Sequence, residues 1–227
     1  MVREGELWRR TKALLAEAGY PEGKGFPPIS VLYNTQEMHK TIAEALMREQ
    51  IAKANTSIYQ AAQRQPQYAG MGTTLVVALF YDNKIAVAHI GDSRLYRLRG
   101  ETLSQVTKDH SLLQEQIDSG LMTKEQAKLS ANKNLVTRAL GIDPTVEPEI
   151  HEYDAETGDI YLLCSDGLTD LVEDEDIRLT LSSLSANLEL AAHKLVQMAN
   201  DNGGRDNVSV ILVRVLREYP AARGVMG

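Results

Sequence analysis

TTLVVALFYDNKIAVAHIGDSRLYRLR, residues 73–99, decides the fold class. Residues 73–80 form a β-branched, apolar run of the kind found in a buried strand, and Tyr81-Asp82-Asn83 supplies turn residues. Residues 84–90 then return as a second strand, and residues 93–99 read as a third, closed by Gly100-Glu101. Two strands joined by so short a turn pair antiparallel. Further strand signals recur at residues 149–153, 160–165 and 208–215. Between them lie short helical segments at 112–119 and 124–129 and longer ones at 173–184 and 188–200, with Ser111 and Asn187 placed as N-caps. Upstream, a helical pattern runs over residues 37–62 and ends before Pro66. In it Ile42, Ala45, Leu46, Glu49, Ala52 and Ile58 roughly keep a 3.6-residue period. Residues 7–18 suit a short amphipathic helix, and residues 23–28 a glycine- and proline-rich loop. Hairpin strands first, then helices, then a late strand point to an α+β protein. The expected architecture is a largely antiparallel β-sandwich with helices on its outer faces.

The chain has 227 residues, 43% of them hydrophobic, which allows one domain with a sizeable core. Aromatic residues make up only 5%, so Val, Ile, Leu and Ala must fill that core. A formal charge of −7 disfavours a nucleic-acid or anionic-membrane partner, because the phosphate-binding term would be repulsive. The single cysteine, Cys164, cannot form an intrachain disulfide, which fits a reducing cytoplasm. Its apolar neighbours make it a small buried hydrophobe on a strand rather than a nucleophile. No stretch reads as a signal peptide, and none approaches the roughly 20 apolar residues of a membrane span.

Three short acidic motifs flank strands. His89-Ile90-Gly91-Asp92-Ser93-Arg94 lies between two of them, Ser165-Asp166-Gly167 closes a third, and Gly203-Gly204-Arg205-Asp206-Asn207 opens the last. Each aspartate sits beside a glycine or turn residue at a strand end, where side chains from separate strands can meet on one rim of a sheet. Carboxylates so placed suit a hard cation, Mg²⁺ or Mn²⁺, with water completing the shell. Singly, each motif is ordinary turn chemistry. Their order and joint occurrence carry the argument.

Met71-Gly72-Thr73-Thr74, Ala88-His89-Ile90-Gly91-Asp92-Ser93-Arg94 and Thr107-Lys108-Asp109-His110-Ser111-Leu112 form the first half of a longer series. Thr137-Arg138-Ala139-Leu140-Gly141, Leu162-Leu163-Cys164-Ser165-Asp166-Gly167-Leu168-Thr169 and Gly203-Gly204-Arg205-Asp206-Asn207-Val208 complete it. Together these motifs resemble the bacterial branch of the metal-dependent (PPM, or type 2C) serine/threonine protein phosphatases, over roughly three quarters of the chain. The resemblance implies a two-sheet sandwich flanked by helices, with a metal cluster in a cleft at one end. It implies that Asp166 and Asp206 ligate one of a pair of metals, and that Asp92 and Asp166 hold a third, weaker one. It implies a mobile flap over residues 109–140. Met71, Thr73, Thr74 and His89 are expected to be structural. His110 could cap the flap helix or lie near the cleft, and a structural role is expected of it as well. The implied reaction is hydrolysis of phosphoserine and phosphothreonine by a metal-activated water, without a phosphoenzyme. The implied partners are phosphorylated proteins and an opposing serine/threonine kinase, and a monomer is expected.

The resemblance stops short at the N-terminus. Family members begin with a strand bearing Asn-Glu/Gln-Asp and a second ending Asp-Gly-Met-Gly-Gly-His, which supplies the aspartate bridging the two catalytic metals. Residues 1–40 contain no aspartate. The division expected is therefore an atypical segment at residues 1–40, a partial phosphatase domain at 41–215 and a tail at 216–227. One strand of each sheet is expected to be missing or replaced, from a truncated, rearranged or frameshifted N-terminus. The alternatives to an active enzyme are a pseudophosphatase that binds phosphoproteins and a poorly folding fragment. Without the bridging aspartate, one weakly held Mg²⁺ or Mn²⁺ is expected, the manganese more tightly bound, with at most a trace of phosphatase activity.

Overall fold

In a computed structural model, residues 36–123, 126–127, 130 and 135–220 are described. The chain divides into two units, Met1–Asn34 and Thr35–Gly227, and the described residues belong to the second. The expected helix at residues 7–18, the loop at 23–28 and most of the helix at 124–129 lie outside the described residues.

The hairpin at the head of the fold forms as its sequence dictates. Strand β1 (Leu75–Tyr81) pairs antiparallel with β2 (Lys84–Ile90) from Leu75↔Ile90 to Tyr81↔Lys84. Asp82 and Asn83 make the turn with φ of 45° and 57°, the left-handed values of a two-residue hairpin, which Asp and Asn tolerate best. Strand β2 also pairs with β5 (Glu149–Asp154), giving a three-stranded sheet in the order β1-β2-β5. The second sheet runs β4-β3-β6-β7, from β3 (Arg94–Arg99), β4 (Thr102–Gln105), β6 (Ile160–Cys164) and β7 (Val210–Arg214). Every pairing is antiparallel. The short polar strand β4 is absent from the sequence reading, because Leu103 is its one apolar residue.

Both central strands are covered on two faces, which explains their unbroken apolar character. In β2, Ile85 and Val87 join Leu95, Tyr161 and Leu163 between the sheets, whereas Ala86, Ala88 and Ile90 face the long helix α1 (Gln36–Arg64). In β6, Ile160, Leu162 and Cys164 pack instead against helices α4 (Asp174–Ser183) and α5 (Leu188–Asp201), through Ile177, Leu181, Ala191 and Leu195. The period of two assigns alternate residues to different cores. Two shorter helices among the described residues are α2 (Leu112–Asp118) and α3 (Asp166–Thr169). Ser111 caps α2 by accepting from the Gln114 amide, and Asn187 caps α5 by accepting from that of Leu190.

Helix α1 corrects the sequence reading of its face. Ala43, Met47, Ile51 and Asn55 are buried, whereas Ile42 and Leu46 are 42% and 49% exposed. Ala45, Glu49 and Ala52 are exposed as well, and Ile58 is partly buried as expected. Following the larger aliphatic residues put the stripe one position out. The true face uses a small alanine for close approach and a buried asparagine whose amide both accepts and donates. Asn55 accepts from the Gly141 amide at 2.7 Å and donates to the Asp143 carbonyl at 3.0 Å.

Candidate metal centre

Residues Arg94, Cys164 and Val210 stand side by side in the register of β3, β6 and β7. Asp92 lies just before Arg94, Asp166 just after Cys164, and Asp206 just before Val210. Because the three strands alternate in direction, all three aspartates emerge at the same end of this sheet. Asp166 opens the one-turn helix α3 rather than a simple turn, as the sequence reading had it, and its Oδ1 accepts from the Gly167 amide. Asp206 accepts from the Asn207 amide at 2.7 Å.

Two close approaches hold this rim together. Gly167 packs against the following motif, and a Cβ there would lie 2.5 Å from the Asn207 carbonyl oxygen. The Ser165 hydroxyl donates to that same carbonyl at 3.1 Å and accepts from the Ser209 amide at 3.0 Å, lashing the Asp166 segment to the Asp206 segment. Gly91, at φ +99°, sits over Thr74, whose Cγ2 would be 2.4 Å from any Cβ. Only glycine satisfies both the backbone angle and the space. Thr74 also shares a 2.8 Å hydrogen bond with the Ser93 hydroxyl, so the structural role expected of it is met on the far side of the Asp92 turn.

The electrostatics of the rim are unbalanced. Asp92 is 9% exposed, and its carboxyl is pushed up to about 6 by burial first and then by the charge of Asp166, with Asp109 and Asp170 adding to it. Arg94, two residues away, is already committed. Its guanidinium meets both oxygens of Asp109 at 2.6 to 3.0 Å and also donates to the Tyr96 hydroxyl. Burial works against the charge of Arg94, but these bonds outweigh it and hold the arginine firmly protonated. The sequence reading missed the contribution of Asp109 and Asp170 to this field. Asp109 stood inside a quoted motif, and nothing in its spacing told of the side-chain direction.

Hard oxygen donors on one rim, with a buried carboxylate destabilised by its own kind, are the donor set that a hard divalent cation fits. Asp92, Asp166 and Asp206 share the rim without closing on one point. Among the described residues, only His89, His110 and Glu149 bring ligand atoms all within 4.8 Å of one another. Cys164 takes no part in this chemistry. It is buried in the helix-facing core of β6, and burial pushes its thiol up to about 12.

A family profile described as Protein phosphatase 2C matches residues 27–208. The chain belongs to that family. It is 40% identical over 173 residues to the serine/threonine phosphatase stp of Listeria welshimeri, a match covering 75% of this chain and 67% of that protein. The crystal structure of the Mycobacterium tuberculosis serine/threonine phosphatase PstP/Ppp superposes with a TM-score of 0.68 at 41% identity, over 72% of this chain and 68% of that one. The catalytic domain of the serine threonine protein phosphatase PstP in complex with 2 manganese ions gives a TM-score of 0.69 at 33% identity, over 95% and 84%. The chain spans about a third of the length of the full M. tuberculosis PstP. These phosphatase 2C relatives share the antiparallel sheets flanked by helices, and the family's Mg²⁺ or Mn²⁺ is the cofactor that the aspartate rim suits.

Proposed function

We propose that this chain hydrolyses phosphoserine and phosphothreonine in proteins, with Asp92, Asp166 and Asp206 holding a single, weakly bound divalent cation. The observation that carries the reading is the placement of the three aspartates on one rim, where the side-chain charges that bear on buried Asp92 among the described residues are those of other aspartates. A bound Mn²⁺ or Mg²⁺ supplies Lewis-acid charge for a ligand water and for the phosphoryl oxygens. The protein's own part is to fix the carboxylates. Ser165 ties two of their segments together, while Thr74 and Gly91 set the turn of the third. The bidentate Arg94–Asp109 pair keeps that arginine from neutralising Asp92, leaving the site's negative charge for the cation.

The test is Mn²⁺-dependent hydrolysis of a phosphothreonine peptide, with Asp166→Asn and Asp206→Asn as controls. Turnover indifferent to metal and to both substitutions overturns the assignment. Because residues 1–40 contain no aspartate, the bridging carboxylate of the family is not supplied there. One weakly held Mn²⁺ is therefore expected by isothermal titration, with Mg²⁺ weaker still. Two tight sites would mean that another carboxylate serves as the bridge. The catalytic portion is assigned to residues 41–215, with 1–40 lacking the family's N-terminal acidic motifs and 216–227 as a tail. None of the helices formed by described residues is long and apolar enough to cross a membrane. A cytoplasmic monomer opposing a serine/threonine kinase is the setting that best suits the single buried thiol and phosphoprotein chemistry.

A further inference from the structure

His110 is 7% exposed and belongs to none of the chemistry above. Yet its amide and one ring nitrogen are used on one target. Its amide donates to the Gly91 carbonyl at 2.9 Å, and its Nδ1 accepts from the Gly91 amide at 3.2 Å. A ring nitrogen that accepts is deprotonated, so the proton of neutral His110 resides on Nε2, facing Glu149 Oε2 at 3.2 Å. The ring lies against that of His89, with centroids 4.6 Å apart and planes 21° from parallel. His89 is pinned in turn, its Nε2 meeting the Lys108 carbonyl at 2.7 Å.

This trio is not itself a metal site. An imidazole binds a cation in its own plane, at a nitrogen lone pair. Two stacked, nearly parallel rings do not direct lone pairs at a common point, and His110 Nδ1 is already spent on Gly91. The hydrogen bonds account for the cluster without an ion.

We infer that His110 is a positioning residue for Asp92: it fixes the Gly91 peptide, and through it the orientation in which Asp92 is offered to the cation. The inference rests on Asp92 being a ligand, as proposed above. Gly91 has a left-handed φ and is pressed onto Thr74, so its peptide is held from below by packing and from above by the histidine. The same residue anchors the next segment. The His110 carbonyl accepts from the Thr137 amide at 2.8 Å, Ser111 bridges to Val136, and the Leu112 amide donates to the Leu135 carbonyl. The turn bearing Asp92 and the base of the segment beginning at Ser111 thus share one attachment.

The experiment compares His110→Gln, His110→Asn and Asp92→Asn with the parent. Asparagine can place an oxygen near Nδ1 and keep the Gly91 bond, whereas glutamine reaches toward Glu149 and leaves Gly91 without an acceptor. Three readings are taken: hydrogen exchange at the Gly91 amide in metal-free protein, the Mn²⁺ dissociation constant by spin-resonance titration, and the melting temperature. The expectation is faster Gly91 exchange and about tenfold weaker Mn²⁺ binding for His110→Gln, as for loss of an outer-shell partner. His110→Asn is expected within about threefold of the parent, the residue left by a poorer but retained hydrogen bond. Unchanged Mn²⁺ binding and Gly91 exchange in His110→Gln overturns the inference. So does an equal loss in both histidine variants that follows their melting temperatures, which would mark plain packing. If Asp92→Asn binds Mn²⁺ like the parent, the ligand reading of Asp92 fails instead. Should His110→Gln not fold, Glu149→Ala releases the far side of the ring. It is expected to show the same two changes at smaller size, and their absence overturns the inference.

Discussion

Asp92 and Asp159 are both more than nine-tenths buried, at opposite ends of the second sheet, and their carboxyls are shifted in opposite directions. Burial pushes both upward. At Asp159 the Arg99 guanidinium meets both carboxylate oxygens at 2.7 and 2.8 Å, and the Glu156 amide and Tyr161 hydroxyl also donate. Those bonds outweigh burial and hold Asp159 below the usual carboxylate range. At Asp92 the neighbouring charges are aspartates, and they add to burial. One carboxylate is neutralised by partners within the protein, whereas the charges that bear on the other are of its own sign. Burial alone does not mark a functional acid. The sign of its neighbours does.

The sharpest way to break this comparison is Asp166→Asn, which removes one of the ligands assigned to the cation. Mn²⁺-dependent hydrolysis is expected to fall on the order of 10³-fold, with the melting temperature unchanged or higher, since one repulsive neighbour of Asp92 is gone. An undiminished rate would remove the aspartate rim from the chemistry.

Asp159→Ala should do the reverse. Arg99 keeps Glu156 and the Asp154 carbonyl, but the Glu156 amide and Tyr161 hydroxyl lose their acceptor, and a loss of about 3 kcal/mol is expected in chemical denaturation. Metal dependence and turnover per folded molecule should stay as in the parent. A changed Mn²⁺ requirement would show that the two ends are coupled.

Asp92→Asn is expected to stabilise the metal-free chain at neutral pH by about 3 kcal/mol, the scale of its pKa displacement. The pH dependence follows from the sign. A folded-state value of about 6, against 3.8 for the free group, makes its favourable contribution complete below pH 4 and lost as pH rises through 6. Asp159, held low, contributes stability above the ordinary carboxylate value and loses it as pH falls below that. Melting curves from pH 4 to 7 in chelator should therefore separate the two residues. Asp92→Asn flattens the decline above pH 4, and saturating Mn²⁺ abolishes its advantage.

The smallest effect is expected from Ile42→Ser on helix α1, far from either aspartate in the argument. With Ile42 42% exposed, the change in stability should be within about 0.5 kcal/mol, whereas buried Met47→Ala should cost about 2–4 kcal/mol. Equal costs would restore the helix face read from the sequence.

Much of the framework was legible in the chain. The 82–83 turn, the alternation in β2 and β6, the caps at Ser111 and Asn187, and the burial of Cys164 and His89 all follow from local rules. Strand β4 and the face of α1 were not legible. One is too polar to register as a strand, and the other depends on which side chains the sheet can accommodate.

What the sequence determined alone is the set of acidic motifs and their placement at strand ends, because turn chemistry and strand periodicity are properties of short stretches. Tertiary structure decided which charges meet. Arg94 stands two residues from Asp92 in the chain and yet belongs to Asp109, while Arg99 reaches across to Asp159, 60 residues away. It also decided that His110 closes on Gly91, 19 residues back. Side-chain direction and register set those pairings, and Coulomb energy depends on distance through space, not along the chain.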